Sequence, residues 1–189
     1  RFVISFNNQA ALTKIPSLKE IKFFSKVPTE KGGNPTLELP PMQPSTKTLL
    51  FLTPVGKANT LWKNEPKLTP VPLTWSSSGG TRLLLVNTSK QLAQIRLSNG
   101  KQLSLKPGSR ASVDLTTPAD ANRIIFKVKG VKDSKLAIQD SIKVASGITR
   151  VYAFYNASPK TNGGRTLGTF RAVYDAPKPQ ITMNRGLRD

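Results

Sequence analysis

Short runs of alternating apolar and polar residues recur along the chain, and they predict a protein built of β-strands. No window carries the apolar i, i+3, i+4, i+7 stripe of a long amphipathic helix, and a short helix over 10–18 is limited by Pro16. Gly, Pro, Asn and Ser separate the runs, as expected of turns. The predicted strands are 2–6, 20–26, 36–39, 46–52, 67–75, 82–86, 92–97, 101–105, 110–115, 123–129, 136–144, 149–155 and 167–174.

One hairpin can be predicted in detail, around the Asn-Gly dipeptide at 99–100. A two-residue turn there would place the apolar Ile95 opposite the polar Ser104. A three-residue loop over 98–100, with its glycine in the left-handed conformation, pairs Ile95 with Leu103 instead. Both apolar sets then face one core. We therefore predict the three-residue loop, followed by a second turn at Lys-Pro-Gly-Ser.

Two strands lack polar alternation, which predicts that they are central and covered on both faces. These strands, 82–86 and 150–155, lead into Asn-x-Ser turns at Asn87 and Asn156. Turn chemistry is sufficient to explain the similarity of the two strand ends.

Prolines divide the chain unevenly. Nine of the fifteen lie between Pro28 and Pro72, so this part cannot form uninterrupted central strands. The Ser/Gly run at 76–80 is the predicted linker between a Pro-rich β-lobe, residues 1–75, and a regular β-sandwich, residues 81–175. The alternative is one sandwich in which 76–80 is a long loop and 1–75 is its first part. Residues 176–189 are predicted to form a basic, flexible tail.

The segments RLLLVNTSKQLAQIRLSNGKQLSLKPGSRASVDL and RVYAFYNASPKTNGGRTLGTFRAVYD resemble a pattern found in exported bacterial β-sandwich proteins of unassigned activity. In that pattern a buried strand ends in Asn-x-Ser, a hairpin carries Asn-Gly, and a Pro-Gly turn follows. The resemblance covers residues 81–175 and implies an immunoglobulin-like or transthyretin-like sandwich, often an envelope, surface or pilus-associated module. It supplies no catalytic residues. We therefore predict an all-β fold, an immunoglobulin-like antiparallel β-sandwich.

The chain is strongly basic, with 29 Lys and Arg against 10 Asp and Glu. The excess is spread along the chain and is densest at 123–135. Strand 123–129 should turn its apolar residues to the core and its cations outward. A surface of this kind suits polyanions such as glycans, lipid headgroups or nucleic acid; the alternative is that the cations only solubilise the sheet. The predicted polyanion-binding residues are Arg123, Lys127, Lys129, Lys132 and Lys135.

The chain contains neither cysteine nor histidine, which removes thiol nucleophiles, imidazole bases and the commonest metal ligands. The acids are scattered, so we expect no enzymatic activity, no cofactor and no metal; a carboxylate enzyme with two acids across a cleft is the alternative. Asp140 is the one acid that interrupts the inward register of its predicted strand. Because a buried, unpaired carboxylate is costly, we predict that a bulge or tight turn at 139–141 turns it outward.

Two functional hypotheses remain. The first is a non-enzymatic exported protein of the bacterial envelope, periplasmic or on the cell surface, that acts in pilus-type assembly or adhesion through protein partners or self-association. The start at Arg1 indicates a processed or trimmed form. The second is a polyanion-binding module whose partner is an anionic polymer or a membrane surface. Sequence-specific nucleic-acid binding is not expected, because no helix is available to enter a major groove.

Overall fold

Every regular element in the described part of the chain is a β-strand. A computed structural model describes residues 21–23, 37–39, 47–53, 67–116 and 123–176. The all-β prediction is confirmed, and each strand predicted from 20–26 onward has a counterpart. Strand 2–6 and helix 10–18 lie outside the described residues. The strands are β1 (Ile21–Phe23), β2 (Leu37–Leu39), β3 (Thr48–Thr53), β4 (Lys67–Pro72), β5 (Thr81–Asn87), β6 (Ala93–Leu97), β7 (Gln102–Leu105), β8 (Arg110–Leu115), β9 (Arg123–Gly130), β10 (Ile138–Lys143), β11 (Ile148–Asn156) and β12 (Leu167–Asp175).

Two four-stranded sheets contain most of these strands. Sheet A has the strand order β10-β9-β6-β7, and sheet B has the order β12-β11-β5-β8. Two further antiparallel pairs, β1 with β2 and β3 with β4, complete the described strands. In sheet A, buried and exposed residues alternate along β6 and β9, so one face is covered and the other faces water.

The two sheets share one apolar core, formed by the inward residues of both. Phe126 of β9 and Tyr152 of β11 meet in this core, with ring centroids 4.4 Å apart. Burial of apolar surface stabilises by about 25 cal/mol per Å² and is the main favourable term that holds such layers together. The most deeply buried members of the core include Leu83, Leu85, Ile95, Leu115, Ile124, Phe126, Ile142, Tyr152, Phe154 and Leu167.

Strands β5 and β11 are covered on both faces, as their lack of polar alternation predicted. The inner residues of β5 join the core between the sheets, whereas Leu84 and Val86 belong to a second apolar cluster on the other side of sheet B. That cluster includes Val71 of β4, and Leu49 and Phe51 of β3 pack against it. The β3-β4 pair therefore covers the outer side of sheet B.

One pairing departs from the predicted antiparallel arrangement. Strands β5 and β11 are parallel neighbours, with Leu84 beside Val151 and Leu85 beside Tyr152. Every other described pair is antiparallel. Adjacent parallel strands need a long crossover connection, and here the intervening chain builds all of sheet A. The prediction was wrong at this pair because an apolar pattern marks where strands lie but not which strands become neighbours.

The predicted hairpin between β6 and β7 is confirmed. Ile95 pairs with Leu103, and the Leu97 N–H donates to the Lys101 carbonyl at 2.9 Å, which leaves a three-residue loop. Gly100 has a φ of 86°, in the left-handed region that favours glycine. The following turn at 106–109 is also present, closed by a backbone hydrogen bond of 3.1 Å.

The Ser/Gly run at 76–80 connects β4 to β5. Its last residue, Gly80, is buried, and a Cβ atom there would collide with the carbonyl oxygen of Leu115. Val71 and Leu73, which precede the run, are buried in the cluster on the outer side of sheet B. The division of the chain into lobe, linker, sandwich and tail stays a prediction.

Candidate functional site

The outward residues of sheet A form a continuous cationic surface. The alternation of β9 buries Ile124, Phe126 and Val128 and turns every second residue towards water. Strands β6 and β10 pair with β9 on either side, so their outward residues lie beside those of β9. We call this surface the cationic face, and its cations are Arg96, Arg123, Lys127, Lys129 and Lys143.

Cations on neighbouring strands lie directly opposite one another. Lys127 has Arg96 opposite it on β6 and Gln139 opposite it on β10. A second row places Arg123 opposite Lys143. Neighbouring strands are about 4.8 Å apart, so each pair holds two positive charges side by side. Like charges in opposed positions disfavour the folded sheet unless an anion lies between or above them.

The cationic face carries no acidic side chain in the described residues. Asp140, the only acid in the four strands of sheet A, belongs to the opposite face. The one large apolar side chain on the outward side is Ile125, which is 42% exposed. Amides and hydroxyls fill the remaining outward positions, at Gln94, Gln102, Ser104, Gln139 and Ser141.

The predicted site residues separate into two groups. Arg123, Lys127 and Lys129 project from the outward side of β9. Arg123 and Lys129 are six residues apart, which corresponds to about 20 Å along the strand. Lys132 and Lys135 are exposed in the loop that follows β9, beyond the sheet.

Sequence reasoning missed two residues of the face, Arg96 and Lys143. The alternation of Ala93, Ile95 and Leu97 already indicated that Arg96 points outward. The alternation could not show that β6 and β10 flank β9, because strand pairing depends on contacts between distant parts of the chain.

A second cationic region lies where β5, β9 and β11 end. Its loops are joined by backbone hydrogen bonds, such as Val131 N–H to Leu92 O at 3.1 Å and Gly108 N–H to Asn87 O at 2.7 Å. We call this region the loop end, and it consists of residues 88–92, 106–109, 131–137 and 157–166.

Buried polar side chains fix the loops of this region to one another. Asn87 is fully buried, and its amide group donates to the carbonyl oxygens of Gln91 and Leu105, both at 2.8 Å. The Gln91 side chain accepts from the Lys132 N–H at 3.3 Å and donates to the Thr166 hydroxyl at 2.8 Å. The first Asn-x-Ser turn is therefore part of the interior.

Asp133 anchors the loop after β9 to the start of β12. Its carboxylate accepts hydrogen bonds from the Thr166 N–H at 2.8 Å, the Thr166 hydroxyl at 2.7 Å and the Leu167 N–H at 3.0 Å. Burial alone would raise the pKa of Asp133, but these hydrogen bonds favour the carboxylate and hold its pKa below the usual value. The acid is turned inward, so the exposed charges of this loop are those of Lys132 and Lys135.

Asp140 stays on the inner side of β10, so the predicted bulge at 139–141 is wrong. Strand β10 pairs with β9 without interruption, and Asp140 lies opposite Phe126. Its Oδ2 atom accepts a hydrogen bond from the Tyr152 hydroxyl at 2.8 Å and lies 3.5 Å from Nη1 of Arg171. Burial, and then the hydrogen bond to Asp140, raises the pKa of Tyr152. A carboxylate with these partners does not carry the cost of an unpaired one, so the strand can remain regular.

Asp114 is also engaged within the protein. It forms a two-point ion pair with Arg82, at 2.8 and 2.9 Å, between β8 and β5. The hydrogen bond from Arg82 lowers the pKa of Asp114. Asp114, Asp133 and Asp140 thus have partners elsewhere in the protein. They do not neutralise the positive charges of the cationic face.

Comparisons with known proteins and motifs add no assignment. In the described ranges, no group of three or more Asp, Glu, Cys or His side chains is placed to hold a metal ion, and no helix is long and apolar enough to span a membrane. The resemblance of residues 81–175 to exported bacterial β-sandwich proteins stays a prediction. No protein-family model matches the chain, and no curated protein matches it in sequence.

Proposed function

We propose that the protein binds an acidic polysaccharide through the cationic face of sheet A. The observation that carries the proposal is the pairing of cations across strands, Lys127 with Arg96 and Arg123 with Lys143, on a face without a described acid. Each pair disfavours the folded sheet by itself. A polyanion laid across the strands turns that repulsion into attraction.

The dimensions of the face favour a polymer over a small anion. Its cations extend for about 20 Å along β9, and its four strands are about 14 Å across. A single phosphate or sulfate group would compensate only one pair. An extended chain with regularly spaced charges would compensate both pairs together.

The neutral residues of the face favour a polysaccharide over a nucleic acid. Proteins that bind single-stranded nucleic acids usually stack bases on exposed aromatic rings. The outward positions of β6, β7, β9 and β10 hold no aromatic residue, since Phe126 is buried in the core. Amide and hydroxyl groups, as at Gln94 and Ser104, are instead suitable partners for sugar hydroxyls.

We also propose that residues 81–175 form an immunoglobulin-like sandwich. Two four-stranded sheets on a shared core support this, and the parallel β5-β11 pair is a departure from it. Envelope assembly or adhesion, in the periplasm or at the cell surface, is the second candidate function. The resemblance of residues 81–175 to exported bacterial β-sandwich proteins supports it.

The test of polysaccharide binding compares two variants that lose the same charge. Arg96→Gln/Lys127→Gln removes the central pair of the face, and Lys101→Gln/Lys160→Gln removes two exposed lysines elsewhere. Heparin and polygalacturonate are titrated at increasing salt. We expect the face variant to bind at least about tenfold more weakly at about 50 mM salt, with a salt slope shallower by about two. The control should change less than about threefold.

An equal loss in the control variant would show that net charge alone drives binding, and the proposal would be wrong. Single-stranded DNA bound as tightly as either polysaccharide would overturn the assignment to polysaccharides. Self-association is measured in parallel by sedimentation. Oligomers that persist in the face variant would support the second candidate, because self-association would then not depend on the cationic face.

A further inference from the structure

The loop end presents an exposed surface whose chemistry differs from that of the cationic face. Its charges come from four separate loops that hydrogen bonds hold together. Its one acid, Asp133, is only 5% exposed. The exposed cations are Lys90, Lys106, Lys132, Lys135 and Lys160.

Apolar side chains accompany the lysines in one of these loops. Val131 is 51% exposed and Leu136 is 38% exposed, among the few large hydrophobic residues of the described chain that face water. They flank Lys132 and Lys135 in sequence. The loop thus shows two apolar side chains and two cations on the same exposed segment.

Hydrogen bonds hold the backbone of this loop in place. The carboxylate of Asp133, in the middle of the loop, accepts hydrogen bonds from the N–H groups of Thr166 and Leu167. Arg165 donates from Nη1 to the carbonyl oxygens of Leu136 and Ala137, at 3.3 and 3.4 Å. The exposed apolar groups are therefore displayed by a preorganised loop, which lowers the entropy that binding would cost.

We propose that the loop end docks on the surface of an anionic lipid bilayer. The lysines pair with lipid phosphates, and Val131 and Leu136 enter the headgroup region. A soluble polyanion would satisfy the lysines but would gain nothing from the apolar pair. A bilayer offers both negative charge and an apolar interior, so it is the partner that this combination fits.

The geometry keeps this surface separate from the cationic face. Strands β5, β9 and β11 all end at these loops, so docking there points the strands towards the membrane. The cationic face runs along the strands and stays open at the side. The inference does not depend on the proposed polysaccharide binding.

Vesicle co-sedimentation tests the inference with the full chain. Vesicles of phosphatidylcholine alone are compared with vesicles that contain about one-third phosphatidylglycerol. Lys132→Gln/Lys135→Gln should weaken binding to the anionic vesicles by about 25-fold, because each lysine near such a surface is worth about fivefold. Val131→Ser/Leu136→Ser should weaken it at least about fivefold and also reduce the binding that survives high salt.

Two controls are matched to these variants. Arg96→Gln/Lys127→Gln loses the same charge on the cationic face, and Ile125→Ser removes an apolar side chain of similar exposure there. Both should bind anionic vesicles like the wild type. Circular dichroism and melting temperature confirm that each variant is folded.

Three results would overturn the inference: no binding to anionic vesicles, an equal loss in the loop and face lysine variants, or full binding by Val131→Ser/Leu136→Ser. Polysaccharide binding should change less than about threefold in both loop variants, the same limit as for the control variant of the proposed function. If no variant loses polysaccharide binding while the loop variants lose vesicle binding, this inference stands and the proposed function is refuted.

Discussion

At the scale of single residues, Asp133 determines how the loop after β9 is held. Its carboxylate lies inside the protein and accepts three hydrogen bonds from Thr166 and Leu167. Hydrogen bonds to a charged group are worth about 1.5–3 kcal/mol each, more than those between neutral groups. The negative charge therefore stabilises the loop from inside and adds no exposed carboxylate to its surface.

Asp133→Asn should destabilise the protein by about 2–3 kcal/mol, because an amide offers one acceptor oxygen and turns its NH₂ group towards one of the two backbone N–H donors. Urea unfolding measures the change. Asp175→Asn, at an exposed acid of β12, is the matched control and should stay within about 0.5 kcal/mol of the wild type.

The same substitution should alter the pH dependence of stability. The folded pKa of Asp133 is below its unfolded value. Its contribution is therefore complete above the unfolded pKa, about 3.9, and is lost as the pH falls through the lower folded pKa. The stabilities of wild type and Asp133→Asn should converge below about pH 4. Curves that remain parallel to about pH 2 would contradict this.

At the scale of elements, the connection from β4 to β5 depends on one glycine. A Cβ atom at Gly80 would collide with the Leu115 carbonyl oxygen, which belongs to β8. Gly80→Ala should destabilise by more than about 2 kcal/mol, since the backbone of a sheet strand cannot move aside easily. Thermal melts of purified variants measure the difference.

The neighbouring glycine supplies the control. A Cβ atom at Gly79 meets nothing within 4 Å, but its φ of 77° disfavours other residues. Gly79→Ala should therefore cost only about 1 kcal/mol. Equal effects at the two positions would show that the contact with Leu115 is unimportant.

Strand positions and the β6-β7 register could be predicted because they depend on local alternation. Ile95 opposite Leu103 follows from placing both apolar sets on one face. The same reasoning failed for Asp140, since its partners Tyr152 and Arg171 come from strands of the other sheet. The local sequence pattern contains no information about partners that come from distant parts of the chain.

The candidate site was only partly predictable for the same reason. Lys127 could be identified as outward from β9 alone. The cation beside it, Arg96, becomes its neighbour only through the β6-β9 pairing. The loop end was still harder to predict, because its buried hydrogen bonds join Gln91 to Lys132 and Thr166, which are distant in the sequence.

At the scale of the whole molecule, net charge opposes folding. The chain carries a formal charge of +19. In the described part of the chain, ion pairs join Arg82 to Asp114 and Arg171 to Asp140. Most exposed cations therefore repel one another, and salt screens that repulsion over about 10 Å at 0.1 M.

The melting temperature should rise as sodium chloride increases from about 20 to 300 mM. A neutral osmolyte at equal osmolality controls for effects unrelated to charge. Arg96→Gln/Lys127→Gln should melt higher than the wild type at low salt, and the gap should narrow as salt is added. A melting temperature that falls with salt would contradict the argument.

The parallel pair of β5 and β11 has a consequence for the order in which the chain acquires its structure. During synthesis, all four strands of sheet A leave the ribosome before β11 does. Until then β5 has β8 on one side and no neighbouring strand on the other. Leu84 and Val86 therefore lack their contacts with β11. Closing such a distant contact is slow, and an open apolar edge aggregates readily. We expect chains that stop at residue 147 to aggregate while full-length chains refold, a contrast that light scattering during refolding can measure.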